Sequence, residues 1–194
     1  MKIIDVSSYQ GTIDWKTVSD NKEIAGAIIR TTIRNGKLDP KAIENYEGIT
    51  SNFNDHFYMI MGYKFSYARD YIGARIECLN TINALRKAGI KIDRLYLDLE
   101  GFDGRDYTTA EADEVIMGYY DQCSAMYARL GLYFNYNYAK NIVSDRWRDL
   151  PLWIARYNKT LGDVSPWEPQ LWQYTSKGRI DGIKGNVDIS EVLY

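Results

Sequence analysis

Leu95-Tyr96-Leu97-Asp98-Leu99-Glu100 follows a helical segment that stops at Lys87-Ala88-Gly89, and apart from its two acids it is apolar. So short an apolar run, closed by Gly101, reads as a buried strand that delivers its last residues to a loop. Side chains alternate across a strand, so Tyr96, Asp98 and Glu100 share one face while Leu97 and Leu99 take the other. Strand ends of this kind carry the chemistry of α/β barrels. Two like charges so close do not ionise equally, and one is pushed towards holding its proton at neutral pH. That is the condition for acid-assisted cleavage of a glycosidic bond. An Asp-x-Glu pair by itself serves as readily to cap a turn, so the rest of the chain has to decide.

Working outward, the flanking segments alternate between strand and helix patterns. Lys2–Val6 reads as a first strand with Asp5 set in an apolar run, where a charge is seldom placed without a purpose. Ile24–Arg30 is continuously apolar, as suits a parallel strand covered on both faces. Asp39-Pro40 predicts a helix start running towards residue 49. Residues 57–65 predict a third strand with Tyr63 near its end. From Asp70 the residues Ile72, Ile76, Leu79, Ile82 and Leu85 form one helical stripe up to Gly89. Thr108-x-x-Glu111 predicts a capping box, with Ile116, Tyr119, Cys123, Met126 and Leu130 continuing a helical face to Gly131. Further strands are expected at 132–135, 151–155, 169–174 and 186–189. The last three follow one another without room for full helices. The pattern predicts a single-domain α/β protein over residues 1–194, a modified TIM-like barrel whose outer helices run out near its end; eight full units typically need about 250 residues. Closure sets the first strand beside the last, so Asp5 and Asp188 should meet Asp98 and Glu100 at one rim.

Composition narrows the partners. The 194 residues carry a net charge of -2, which argues against nucleic acid held through phosphate contacts. The apolar run at Met1 is too short for a secretory signal, and no run reaches membrane-spanning length, so neither self-directed export nor membrane insertion is expected. Cys78 and Cys123 read as two free, buried thiols, and His56 is the single histidine, leaving little for a zinc site or a His-centred triad. No metal or cofactor is needed. The 17 Tyr and 5 Trp suit a glycan groove, because a flat apolar body with a polar handle matches a sugar face. Tyr9, Tyr67, Tyr133, Tyr136, Trp153, Tyr157 and Trp172 are the candidates; about half should be barrel packing instead.

The chain resembles glycoside hydrolase family 25, the Chalaropsis-type lysozymes. The matching stretches are Asp5-Val6-Ser7-Ser8-Tyr9-Gln10-Gly11 with Ile13-Asp14-Trp15, Gly62-Tyr63, Tyr96-Leu97-Asp98-Leu99-Glu100, Leu152-Trp153-Ile154-Ala155 with Tyr157, Leu171-Trp172-Gln173-Tyr174, and Val187-Asp188-Ile189. The resemblance implies a (β/α)5(β)3 barrel and hydrolysis of the β-1,4 bond from N-acetylmuramic acid to N-acetylglucosamine in peptidoglycan. It implies Glu100 as general acid, Asp98 as the holder of the substrate acetamide, Asp5 and Asp188 as rim acids that tune them, and Tyr63 as a positioning phenol. Tyr9, Tyr133, Trp153, Tyr157 and Trp172 complete the expected substrate-binding set. Relatives carry a Lys and a Glu near the end of the second strand where this chain reads Ile29-Arg30-Thr31-Thr32-Ile33-Arg34, so sugar or peptide contacts there should differ.

Acids on alternate strand residues stand roughly 6 to 7 Å apart at their Cα atoms, given about 3.3 Å per residue, a spacing that leaves nucleophile and water-mediated routes open. Asp-x-Glu also suits attack by the substrate's own acetamide with retention, the favoured reading. A chitinase-like barrel and a non-catalytic wall-binding module are the rivals. The expected protein is a monomer acting on glycan strands of the bacterial wall, reached by lysis or holin lesions, as in a phage endolysin, or as part of a larger exported or phage protein.

Overall fold

The computed structural model describes residues 1–53 and 59–193. His56 and the start of the expected third strand, residues 57–58, lie outside the described residues. The strands are β1 (Lys2–Val6), β2 (Ile24–Arg30), β3 (Met59–Phe65), β4 (Leu95–Asp98), β5 (Leu130–Asn135), β6 (Leu152–Ala155), β7 (Pro169–Gly178) and β8 (Val187–Val192). They close in sequence order into a barrel. Among the described residues five α-helices alternate with the early strands: α1 (Trp15–Asp20), α2 (Ala42–Asn52), α3 (Tyr71–Lys87), α4 (Thr109–Ala125) and α5 (Tyr136–Asn141). No α-helix separates β6, β7 and β8, so the expected (β/α)5(β)3 architecture holds. β1 to β7 are parallel, and β8 runs antiparallel to both β7 and β1.

Alternation along the strands splits the apolar residues between barrel lumen and outer layer. Ile3, Ile28, Met61, Tyr96, Tyr133, Trp153 and Leu171 fill the lumen. Leu97, Leu99, Leu132 and Ile154 face α3, α4 and α5, while Ile4, Val6, Ala27 and Ile29 face α1 and α2. Trp153 is the hub of the lumen, edge-on to Tyr63 and Tyr96 and 4.3 Å from Tyr133 between ring centres.

Three helix readings need correction. The stripe expected on α3 is half wrong: Ile82 and Leu85 are buried, but Ile72 and Ile76 are 61% and 54% exposed, and Ala74, Cys78 and Thr81 are buried in their place. The reason is the close approach of α4, where a Cβ on Gly118 would stand 2.6 Å from the Tyr71 carbonyl and 2.8 Å from the Ala74 Cβ. A seam that tight admits Ala, Cys and Thr, and turns the large residues outward. Cys78 and Cys123 meet in it as buried free thiols, Sγ to Sγ 3.5 Å. α4 itself stops at Ala125, and Leu130 and Gly131 belong to β5. Gly131 is no helix stop: a Cβ there would lie 2.5 Å from the Tyr96 ring, so the missing side chain is what admits Tyr96 to the lumen. Finally, the regular turns of α2 begin at Ala42 rather than at Pro40, although Asp39 accepts the Lys41 N–H as a capping side chain does, its other carboxylate oxygen being held by Arg30.

Candidate active site

Three strands and one reversal bring the four acids together. Asp5 lies inward on β1 after Ile3, and Asp98 ends β4, paired in register with Tyr133 of β5 and Phe65 of β3. The ladder runs one residue further through Leu99 N–H to the Tyr133 carbonyl (2.9 Å), and Glu100 follows at once. Asp188 is the second residue of β8, so only an antiparallel β8 places it at the C-terminal rim of the other strands. Its Cα partner across the ladder is Asp5.

The electrostatics follow from burial and crowding. Asp98 is 5% exposed and Asp5 8%. Burial, with Glu100 and Asp5 close by, holds the Asp98 carboxyl well above the usual carboxylate range. Burial and Asp188 do the same for Asp5, opposed by a hydrogen bond from Gln173 Nε2 (2.8 Å). Glu100 is raised by burial and by Asp188, and Asp188 by burial. Among the described residues Asp98 Oδ1 is buried without a hydrogen-bond partner. The phenols beside the acids respond in the same sense, Tyr157 being pushed up to about 12 by burial and by Asp188, Asp5 and Glu100.

Glu100 stands where two concavities meet. One, of about 380 Å³, is lined by Glu100, Gly101, Gly104, Arg105, Asp106, Asn135 and Tyr138. The other, of about 460 Å³, is lined by Glu100, Asn135, Tyr136, Asn137, Ala155, Arg156 and Tyr157. The wall of the first is a tight hairpin in which Phe102 and Arg105 pair around Asp103 and Gly104, both at positive φ. Arg69 clamps it: the guanidinium lies between the rings of Phe102 and Tyr107 and donates to the carbonyls of Phe102, Arg105 and Asp106. Arg34 joins from the β2 side, paired with Asp103 at 2.9 Å over the Tyr67 ring.

A barrel with its acids gathered this way has relatives. The sequence profile of Glycosyl hydrolases family 25 matches residues 4–183. The chain belongs to that family. It is 24% identical to an autolytic lysozyme of Clostridium acetobutylicum over 98% of its own length and 55% of the relative's. Among solved structures it is similar to the modular autolysin LytC of Streptococcus pneumoniae in complex with a synthetic peptidoglycan ligand, at 25% identity and a TM-score of 0.86, over 97% of this chain and 46% of that one. The CTP1L endolysin is similar at 25% identity and a TM-score of 0.80, covering 98% of this chain and 66% of that one. The chain thus spans about half the length of the lysozyme and the autolysin it matches.

Within this family 25 barrel the residues singled out from sequence fall into three groups. Asp5, Asp98, Glu100 and Asp188 share one rim with Tyr157 beside them, and Tyr9 stands 84% exposed with Arg30 under its ring, whereas Tyr63 and Tyr133 reach the acids from the lumen, Tyr133 only 7% exposed with its hydroxyl on Gln173. Tyr136 lines the second concavity beneath Arg156, and Tyr67 belongs to the hairpin wall. Trp153 and Trp172 are not in the cleft. Trp153 is 1% exposed in the lumen with its indole N–H on Ser190, leaving no face for a ligand. Trp172 is on the outer face of β7, its indole N–H on the Arg156 carbonyl, because alternation turns Leu171 and Gln173 inward instead. Arg30, at the end of β2, spends its guanidinium on buried Asp39 and on Ser8, which fixes the loop carrying Tyr9. Asn135, Tyr138 and Arg156, which line the concavities, and buried Gln173, which holds Asp5, are residues the sequence reading passed over. For Gln173 the alternation within Leu171-Trp172-Gln173-Tyr174 was the available signal.

Proposed function

We propose that residues 1–194 form the catalytic domain of a lysozyme-type peptidoglycan hydrolase, an N-acetylmuramidase that cleaves the β-1,4 bond between N-acetylmuramic acid and N-acetylglucosamine. The observation that carries this reading is the place of Glu100, at the junction of two concavities with a pit of buried acids beside it. An enzyme that cuts inside a polymer needs room for sugars on both sides of its proton donor. Glu100, kept inclined to hold a proton by burial and by Asp188, gives that proton to the glycosidic oxygen as the bond breaks. The substrate acetamide oxygen attacks the anomeric carbon, and Asp98 Oδ1, buried and unpartnered among the described residues, accepts the acetamide N–H and orients it. Glu100, now a carboxylate, takes a proton from the water that opens the cyclic intermediate, and the anomeric configuration is retained. Asp5 and Asp188 keep the pair crowded, and Tyr63, Tyr9 and Tyr157 position the glycan. The partner is a peptidoglycan strand met by a monomer at the bacterial wall.

The test is turbidity loss of purified peptidoglycan by wild type and Glu100→Gln, followed by analysis of the new reducing ends. Wild type should clear the wall and leave muramic acid at those ends, and the variant should be slower by about 10² to 10⁴-fold, the usual worth of a positioned general acid. Equal clearance by both proteins would remove Glu100 from the mechanism. No clearance by wild type on any wall would leave the barrel with another glycan or a binding role.

A further inference from the structure

Gln173 is 1% exposed on β7, faces the lumen, and bonds with three groups from three other parts of the barrel. Its Nε2 donates to Asp5 Oδ2 on β1 at 2.8 Å. Its Oε1 accepts from the Tyr133 hydroxyl on β5 at 2.9 Å and from the Tyr157 hydroxyl, two residues beyond β6, at 2.8 Å. We propose that Gln173 is a positioning residue of the cleft, a single buried amide that fixes the carboxyl group of Asp5 and the direction of both phenols at once. The proposal rests on the muramidase reading for its activity test only.

An amide has one donor end and one acceptor end, and the three partners use both. With Asp5 ionised, turning it over would press its carbonyl against a carboxylate oxygen and leave two phenol protons without their acceptor, so in that state the arrangement is self-consistent in one direction. Each phenol has a single proton, and both protons are spent on Gln173. Towards the cleft Tyr157, which is 57% exposed, then offers lone pairs alone, so it accepts from sugar hydroxyls or amide N–H groups and does not donate. For the same reason neither phenol relieves the acids. Asp5 faces Asp188 from β8, Asp98 and Glu100 from the end of β4, Tyr63 from β3, Tyr133 from β5 and Tyr157 from beyond β6, while Arg30 of β2 faces Tyr63. Gln173 is the hydrogen-bond donor Asp5 has in this ring among the described residues.

Two variants separate a positioning role from a structural one. Gln173→Leu keeps bulk but loses all three bonds, and kcat/KM on peptidoglycan should fall by about 10 to 100-fold, the usual cost of misplacing a site by about 1 Å. Gln173→Glu preserves the shape. While its new carboxyl is protonated it still donates to Asp5 and accepts from both phenols; once ionised it faces Asp5 as a like charge. Its activity should stay within a few-fold of wild type on the acid side and fall by about 10-fold or more relative to wild type on the alkaline side, where the ionised side chain no longer donates to Asp5. A variant profile that overlays wild type, or one depressed equally at every pH, overturns the proposal, and this holds even if Gln173→Leu fails to fold. Carbon-13 NMR titration of the Asp carboxyls needs no substrate. In Gln173→Leu, or in Gln173→Asn if the leucine variant is unfolded, Asp5 should take up its proton at higher pH than in wild type, and an unmoved midpoint overturns the proposal. Failure of wild type to clear any wall counts against the muramidase reading and leaves the NMR outcome to decide on Gln173.

Discussion

Asp98→Asn should make the protein more stable while it disables the cleft. Asp98 is 5% exposed, its Oδ1 has no partner among the described residues, and Glu100 and Asp5 crowd it. Two full charges about 6 Å apart, the spacing of alternate strand residues, repel by about 3 kcal/mol at an effective dielectric constant of about 20. Because the acids share protons rather than ionising fully, roughly half of that survives, leaving a gain of about 1 to 2 kcal/mol for the neutral isostere, whose amide N–H can also donate to its acidic neighbours. For a chain of this size that raises the melting temperature by about 2 to 8 °C. The pH dependence is the decisive part. A carboxyl raised in the folded state keeps its proton after the unfolded chain has lost it, so wild-type stability falls as pH rises from near the ordinary Asp value through the raised one. The advantage of the variant should therefore be absent below about pH 4, grow through that window and level off above it. Thermal melts of both proteins followed by circular dichroism from pH 3.5 to 8 read this directly. A variant less stable than wild type at pH 7, or one with the same advantage at pH 3.5, would refute the account of the acid pit.

Two further contrasts test the lumen and the rim. Trp153→Ala should cost about 3 to 5 kcal/mol in chemical denaturation, as expected for emptying the centre of the barrel, whereas Tyr9→Ala should change stability by less than about 0.5 kcal/mol yet raise KM on peptidoglycan, since Tyr9 is almost fully exposed. Gly131→Ala should destabilise by about 1 to 3 kcal/mol, because its Cβ would stand 2.5 Å from the Tyr96 ring; unchanged thermal stability would show that the lumen is looser than described.

The barrel was legible because its strands are local signals. Ile24–Arg30 and Leu95–Asp98 are short, apolar and bounded, and the spacing of the last three left no room for helices. The helices were less legible for a reason outside any one of them. The periodicity of Ile72, Ile76, Leu79, Ile82 and Leu85 is a true helical signal, and α3 is where it predicts. Which side of α3 is buried depends on how closely α4 approaches, and that depends on Gly118, 46 positions further along the chain than Ile72. A stripe of large residues marks a buried face when the partner is distant enough to admit them, and here it is not. Gly131 misled in the same way, since its role is set by Tyr96 on the neighbouring strand rather than by the helix before it.

The acids were legible one strand at a time, but their meeting depends on a feature absent from local pattern, the direction of β8. Asp188 sits near the start of its strand, and Asp98 at the end of its own. Were β8 parallel to its neighbours, Asp188 would lie at the opposite rim; reversed, it lands across the ladder from Asp5. The short, helix-free connection before β8 and the position of the acid are thus one fact. A strand that follows its predecessor through a short connection, with no helix to carry the chain back, must run antiparallel to it, as β8 does to β7. The trimmed end of the barrel is what returns an acid from the start of a strand to the rim where the others end. Barrel closure alone leads the sequence reading to expect Asp188 at this rim; the 179–186 connection, shorter than the dozen or so residues of a parallel crossover, is why β8 reverses and lands Asp188 across from Asp5. The same reversal would have pointed to Gln173, since the strand that pairs with β8 must turn its lumen-facing residues towards Asp5.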